Sequence, residues 1–182
     1  DLYGQLYRIP VYKVMGGARK QIVTDITISV NPPEEMARDA VNAVERGYDT
    51  LKIKVGANPE LDVARLTAVR QAIGDKTRIR IDANQGWEPK QAVRLLNQMQ
   101  DKGLDIEFVE QPVKAHDFQG LKYVTQRSYV PVLADESVFS PEDALTIMQM
   151  GAADLVNIKL MKCGGRYNAL KIASAAEVYG VE

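Results

Sequence analysis

A charged residue recurs at the carboxyl end of one strand-like segment after another, and the spacing is that of one strand plus one helix. Lys54 is followed by Asp82 after 28 residues and by Glu110 after another 28; Asp135 follows after 25 and Lys159 after 24. Lys52 sits two residues before Lys54. Successive parallel strands that each end in a chemically capable side chain are how a β/α barrel assembles an active site. The pattern predicts an α/β chain: a TIM-type (β/α) barrel of which about six βα units are present.

Apolar segments at 23–30, 50–55, 78–82, 105–110, 131–134 and 154–160 are expected as strands. Helix-start signals stand between them. Asn31-Pro32 opens the first helix, striped by Met36, Ala37, Ala40, Val41 and Val44. Asn58-Pro59 opens the second, striped by Val63, Leu66, Val69 and Ile73, with Gly74 at its end. Leu95, Leu96 and Met99 mark the third, and Ser140-Pro141-Glu142 opens the fifth. A capping residue, then proline, then an acid in the first turn is a helix start with a mechanism behind it. Strict alternation of the two element types implies a parallel sheet.

Composition removes several kinds of function. The 182 residues carry a net charge of −1 with no basic block, so nucleic acid has no electrostatic footprint here. No apolar run approaches the ~18 residues that span a bilayer, and a membrane partner is not expected. Cys163 is alone, which leaves no disulfide framework and no thiolate zinc site; a reducing, cytoplasmic setting is the default. His116 is the only histidine and lies in a polar stretch with nothing to orient it, so it is expected to be a plain loop residue. The composition leaves a homo-oligomer open.

Alternate residues of a strand share a face. Thr50, Lys52 and Lys54 then oppose Leu51, Ile53 and Val55; Arg80 and Asp82 oppose Ile79 and Ile81; Asn157 and Lys159 oppose Val156, Ile158 and Leu160. Thr27 and Ser29 point inward on the first strand by the same parity. With the apolar faces on the helices, charge points into the barrel, where burial is costly unless the charges are paired or metal-bound. Two explanations stand. One is a lattice of internal salt bridges, with Arg80 anchoring Asp82. The other is a site. Asp82, Glu110 and Asp135 offer oxygen ligands only, a set that selects Mg²⁺ or Mn²⁺ over zinc. Asn84 shares the Asp82 face and could add a hydrogen bond to substrate or ligand; Glu136 follows Asp135 and is expected to point elsewhere, behind the ligands. Lys54, with Lys52 and burial both lowering its pKa, would be a base near neutral pH, and Lys159 faces it across the mouth. Such a pair could remove and return a proton α to a carboxylate through an enediolate. Lys162 is expected as a rim charge, Cys163 as a small packed thiol, and Trp87 as either packing or a stacking surface.

The segments Lys52-Ile53-Lys54, Asp82-Ala83-Asn84-Gln85-Gly86-Trp87, Glu110-Gln111-Pro112, Ala134-Asp135-Glu136-Ser137 and Asn157 through Gly165 resemble the enolase superfamily. Lys-x-Lys on the second strand with a lysine on the sixth is similar to the muconate-lactonizing subgroup, and the run from Asn157 to Gly165 is most similar to its dipeptide epimerases. The resemblance implies that Lys54 and Lys159 are the acid/base pair, Lys52 their electrostatic neighbour, and Asp82, Glu110 and Asp135 the Mg²⁺ ligands. It implies an isomerase whose partner is a small-molecule carboxylate, a dipeptide such as L-Ala-D/L-Glu. Muconate cycloisomerases, o-succinylbenzoate synthases and N-acylamino acid racemases share the constellation and remain alternatives, as does a non-catalytic fragment or scaffold. Residues 1–20 are expected to be a stub of the family's N-terminal capping domain plus a linker, and 21–182 a partial barrel whose last strands lie beyond Glu182.

Overall fold

Proline at the first helical turn and apolar alternation between the helices produce the order that the sequence predicts. The computed structural model of the chain describes residues 2–19 and 21–182. Two short helices, α1 (Leu2–Tyr7) and α2 (Val11–Val14), come first. Strands and helices then alternate: β1 (Ile26–Ile28), α3 (Pro33–Glu45), β2 (Thr50–Lys54), α4 (Pro59–Ile73), β3 (Arg78–Asp82), α5 (Pro89–Asp101), β4 (Ile106–Glu110) and α6 (Phe118–Thr125). The series continues with β5 (Val132–Ala134), α7 (Pro141–Met150), β6 (Leu155–Val156), α8 (Leu160–Cys163) and α9 (Arg166–Tyr179). Pro33, Pro59, Pro89 and Pro141 each open a helix, where the missing N–H costs nothing. Ser140 caps α7 by accepting from the Asp143 N–H at 3.1 Å.

The six strands form one parallel sheet in sequence order. Leu51, Ile53, Ile79, Ile81 and Val109 are fully buried, as are Leu66, Val69, Leu96, Met99, Leu121 and Ile147 from the helices. The core therefore sits between sheet and helices, and the other face of the sheet carries the charge. Register levels the functional row: Lys54 pairs with Asp82, and Asp82 with Glu110.

Three features depart from simple alternation. First, β4 carries a register shift: Ile79 pairs with Ile106 but Ile81 with Val109, one extra residue on β4. The bulge lets Glu107 and Phe108 meet Arg80 (the carboxylate at 2.6 Å, the ring at 5.1 Å from the guanidinium) and still brings Glu110 level with Asp82. Second, the terminal strands are shorter than expected. β1 spans three residues, and β6 stops at Val156 because the backbone turns into α8, with Lys159 as its N-cap and Gly164 (φ 77°) at its end. Beyond β6, Glu182 accepts from the Val156 N–H at 2.7 Å and donates to the Asp154 carbonyl at 3.3 Å, the contacts of a neighbouring extended segment. Third, α4 buries charge alongside its apolar stripe: Asp62, Arg65 and Arg70.

Arg70 is 9% exposed and ties three segments together. It donates to the carbonyls of Gly74 (2.8 Å) and Thr77 (2.7 Å) at the α4–β3 turn, and to Leu104 (3.0 and 3.1 Å) and Asp105 (3.1 Å) before β4. Arg70→Met keeps the aliphatic stem and strands these acceptors. The expected loss of stability is about 3 kcal/mol, measurable by urea unfolding of the full-length chain; a loss below about 0.5 kcal/mol, ordinary for a surface substitution, would contradict the role given to Arg70.

Candidate active site

The carboxyl ends of β2 to β5 bring the predicted residues into one row. Lys54 Nζ donates to Asp82 Oδ2 at 2.6 Å and to Asn84 Oδ1 at 2.6 Å. Lys52, one pleat below, lies between two acids: 3.6 Å from Asp82 Oδ2 and 3.1 Å from Glu110 Oε2. The other Glu110 oxygen accepts from Asn157 Nδ2 at 3.0 Å. Asp135 closes the row, taking Lys159 on Oδ2 (2.5 Å) and Lys162 on Oδ1 (2.6 Å). The three acids are each 2% exposed. Glu136 reaches Asn84 Nδ2 at 3.3 Å, which puts it beside the row rather than away from it. Thr27 is level with Lys52 in register, and it is exposed.

Lys162 corrects the sequence-based expectation. Strand parity placed it on the rim, but strand parity ends where α8 begins. As a helical residue it turns inward, is 8% exposed, and also donates to the Asp135 and Asn157 carbonyls. Its ammonium lies 5.6 Å from the Phe139 ring centre. Arg80 is a second correction: it does not anchor Asp82 but pairs with Glu107 (2.6 Å) and Asp25 (3.0 Å) further down the barrel. Cys163 is a buried small thiol, His116 is exposed in a loop, and Trp87 is 1% exposed with its indole N–H on Asp62, so it is packing rather than a stacking surface.

Gln111 was missed as a site organiser. It is fully buried, with φ at 37°, an unusual backbone state for a non-glycine residue. Its side-chain oxygen accepts from the N–H groups of Asp135 (2.9 Å) and Ser137 (3.1 Å), and its amide donates to Val113 O (3.0 Å) and Ser137 Oγ (2.8 Å). The residue just past the end of β4 thus fixes the loop that carries Asp135. The only sequence signal was its place between Glu110 and Pro112.

Burial pulls the Lys52 pKa down, but the Glu110 charge and hydrogen bond, with Asp82 and Asp25, carry it above the ordinary value. Lys159 behaves alike: burial lowers it, and Asp135, Glu110 and Glu136 raise it further than burial lowers it. At Lys52 and Lys159 the neighbouring acids therefore outweigh burial and favour the ammonium form. Burial and the Asp82 charge hold Glu110 above the usual carboxylate range against Lys52 and Asn157. The Lys52–Glu110 pair therefore favours the ammonium without fully compensating the carboxylate. Burial also pushes Asp135 up, but hydrogen bonds and charge from Lys159 and Lys162 bring it below the usual range.

Among the described residues, no three His, Cys, Asp or Glu side chains are gathered closely enough to chelate an ion as they stand. The donor chemistry nonetheless fits a hard divalent cation. Asp82, Glu110 and Asp135 are buried oxygen donors on adjacent strands, and Glu136 Oε2 is buried without a partner beside them. Ammonium groups now hold the carboxylate oxygens that a cation would compete for. An open recess of about 380 Å³ adjoins the row, lined by Ser29, Lys54, Gly56, Ala83, Asn84 and Gly86. A larger cavity, about 570 Å³, opens at the opposite end around Arg80, Glu107 and Asp154 and holds none of the row.

The Asp135 shift has a sign in stability. A carboxylate whose folded pKa is depressed stabilises the fold above its unfolded pKa, about 3.9, and loses that contribution as pH falls through the folded value. Asp135→Asn should therefore melt below the parent at pH 6, and the gap should close as pH drops below about 4. Thermal melts across this range check it; a gap independent of pH would contradict the ion pairs.

Against known proteins, residues 35–182 match the family described as enolase C-terminal domain-like. An L-Ala-D/L-Glu epimerase of Clostridium acetobutylicum is 62% identical over 182 residues, covering all of this chain and 51% of the relative. The solved substrate-liganded complex of the Bacillus subtilis L-Ala-D/L-Glu epimerase is 50% identical, covers 99% of this chain and 50% of that one, and superposes with a TM-score of 0.96. The dipeptide epimerase of Enterococcus faecalis V583, solved with Mg and the dipeptide L-Leu-L-Tyr, is 48% identical with a TM-score of 0.95, covering 100% of this chain and 51% of that one. The chain spans about half the length of the relatives it matches. With a six-stranded parallel α/β sheet and a family match over most of its length, this chain belongs to the enolase C-terminal domain-like family and carries part of a TIM-type barrel of the enolase superfamily.

Proposed function

We propose that this chain forms the catalytic barrel segment, residues 21–182, of a Mg²⁺-dependent epimerase acting α to a carboxylate, with dipeptides as substrates. One observation carries the reading: two lysines, Lys54 and Lys159, each grip a different buried acid at opposite ends of the carboxylate row. Homology supports it, since the relatives above are epimerases of L-Ala-D/L-Glu and of other dipeptides.

Asp82, Glu110 and Asp135 would hold the cation. When bound, it would supply a Lewis acid for the substrate carboxylate. The chain's own residues do the rest. One lysine, as the free amine, takes the α-proton: a C–H bond breaks and an N–H bond forms. The other lysine, as the ammonium, gives its proton to the opposite face of the same carbon. The result is inversion, and the two lysines end in exchanged protonation states, ready for the reverse direction or for re-equilibration with water. Lys52 stays protonated between Asp82 and Glu110 and places fixed positive charge beside the substrate carboxylate as negative charge develops there. Asn84, bonded to both Lys54 and Glu136, orients Lys54. Ser29 lines the recess beside Lys54, and Thr27 is level with Lys52 on β1. Residues 1–20 would belong to a separate linker and capping element.

In the full-length chain, Lys54→Ala and Lys159→Ala should each abolish epimerisation. In D₂O each variant should still exchange the α-proton of one substrate epimer, a different epimer for each. Retained epimerisation in both variants would remove the two-lysine mechanism.

Asp82→Asn, Glu110→Gln and Asp135→Asn keep side-chain shape and remove one ligand charge each. Calorimetric titration should show Mg²⁺ affinity falling by about tenfold or more, since even outer partners of a metal site cost roughly 10–100-fold. Unchanged affinity in all three would leave only the salt-bridge lattice.

A further inference from the structure

Behind Lys54 lies a buried charged pair that the proposed chemistry does not use. Asp62, in the first turn of α4, is fully buried and Arg65 is 7% exposed. Asp62 Oδ2 accepts from the Gly56 N–H at 2.9 Å and from the Trp87 indole N–H at 3.0 Å. Asp62 Oδ1 accepts from Arg65 Nη1 at 3.0 Å. Arg65 in turn donates to the carbonyls of Asn31 (3.0 Å) and Asn58 (3.2 Å). Gly56 and Asn58 belong to the loop that leaves Lys54. Trp87 ends the loop that leaves Asp82 and Asn84. Asn31 belongs to the loop after β1.

The glycines show how closely these loops meet. A Cβ on Gly86 would fall 2.6 Å from Gly56 Cα and 2.6 Å from its carbonyl oxygen, and Gly56 itself has φ at 93°. Backbone lies on backbone, and the walls of the recess beside Lys54 are formed by these same three loops: Ser29 and Val30, then Val55 to Ala57, then Ala83, Asn84 and Gly86. The five bonds of Asp62 and Arg65 all fall in the β1–β3 half. The other half has its own organiser, Gln111, which binds the Asp135 loop.

We propose that Asp62, locked by Arg65, is a positioning residue that latches the three loops around Lys54 and thereby aims one of the two proton-transfer lysines and not the other. A buried carboxylate suits the task because it accepts from a backbone N–H, an indole N–H and a guanidinium at once, which a neutral amide cannot do without turning its own NH₂ towards one of those donors. Asp62→Asn should therefore loosen the Lys54 side alone.

The inference rests on the two-lysine reading, and the test separates them. In the full-length chain carrying Lys159→Ala, the α-proton exchange left in D₂O belongs to Lys54; in Lys54→Ala it belongs to Lys159. Adding Asp62→Asn should lower the first rate about tenfold or more and the second less than about twofold, since a misplacement on the order of 1 Å costs ~10²-fold. Loss of folded protein lowers both rates alike, so equal losses overturn the latch. Trp87→Phe, which deletes the indole donor but keeps a ring, should shift the ratio in the same direction and keeps the test alive if Asp62→Asn does not fold; an unchanged ratio in a folded Trp87→Phe counts against the latch. Backbone amide exchange needs no turnover. It should quicken in residues 55–58 and 83–88 of these variants and hold steady in residues 157–163; quickening everywhere or nowhere overturns the latch. If neither single-lysine parent exchanges an α-proton, the two-lysine reading falls, and amide exchange decides the latch by itself.

Discussion

Charge buried on one face of a parallel sheet constrains everything else in this molecule. Hydrogen-bonded register sets Lys54, Asp82 and Glu110 on one level, and the helices on the other face leave those side chains nowhere else to go. An isolated ion in that position would cost several kcal/mol. Each acid is therefore met by at least one ammonium, and the acids on β3 and β4 share Lys52. The bulge in β4 belongs to the same solution. Without the extra residue, either Glu107 would miss Arg80 or Glu110 would leave the row.

Counted as ions, the mouth of the barrel is balanced: Lys52, Lys54, Lys159 and Lys162 against Asp82, Glu110, Asp135 and Glu136. That neutrality explains why a salt-bridge lattice and a metal site looked like rivals in the sequence. They are two charge states of one set of groups. A divalent cation adds two positive charges. A substrate carboxylate removes one, and a lysine that has given up its proton removes the other. The proposed reaction needs that combination: cation, carboxylate and one neutral amine. The acids beside Lys52 and Lys159 favour their ammonium forms and hold both above the ordinary lysine pKa.

The sequence made the row legible because strand exits in a barrel repeat at the length of one βα unit, and because a proline at the helix start marks four of the units. It did not reveal Lys162, since alternation is valid only while the chain stays extended, and α8 begins at Leu160. A shared strand face points Arg80 at Asp82, yet a long guanidinium reaches down the strand to Glu107 and Asp25 as easily as up it. Asp62 and Arg70 each stand four residues from Leu66, on the buried stripe of α4. The stripe shows that they face inward but not which carbonyls and N–H groups of neighbouring loops they serve. What periodicity conveys is which face an element shows its neighbours; what it omits is which loop ends converge on a side chain.

The same distinction bears on specificity. Of the two lysines proposed to move the proton, Lys54 is on a strand end fixed by register, and Lys159 stands just past β6 as the N-cap of α8. Residues that shape the recess beside Lys54 are on loops, held by a buried carboxylate and by two glycines packed against each other. Relatives at 48% and 50% identity superpose almost equally well on this chain, yet one was solved with L-Leu-L-Tyr while the other is named for L-Ala-D/L-Glu. A shared backbone path over this part of the barrel is thus compatible with different dipeptides in those relatives. Under the proposed function, the row would recognise what such substrates share, a carboxylate and the acidic C–H beside it, and would leave discrimination between dipeptides to other side chains.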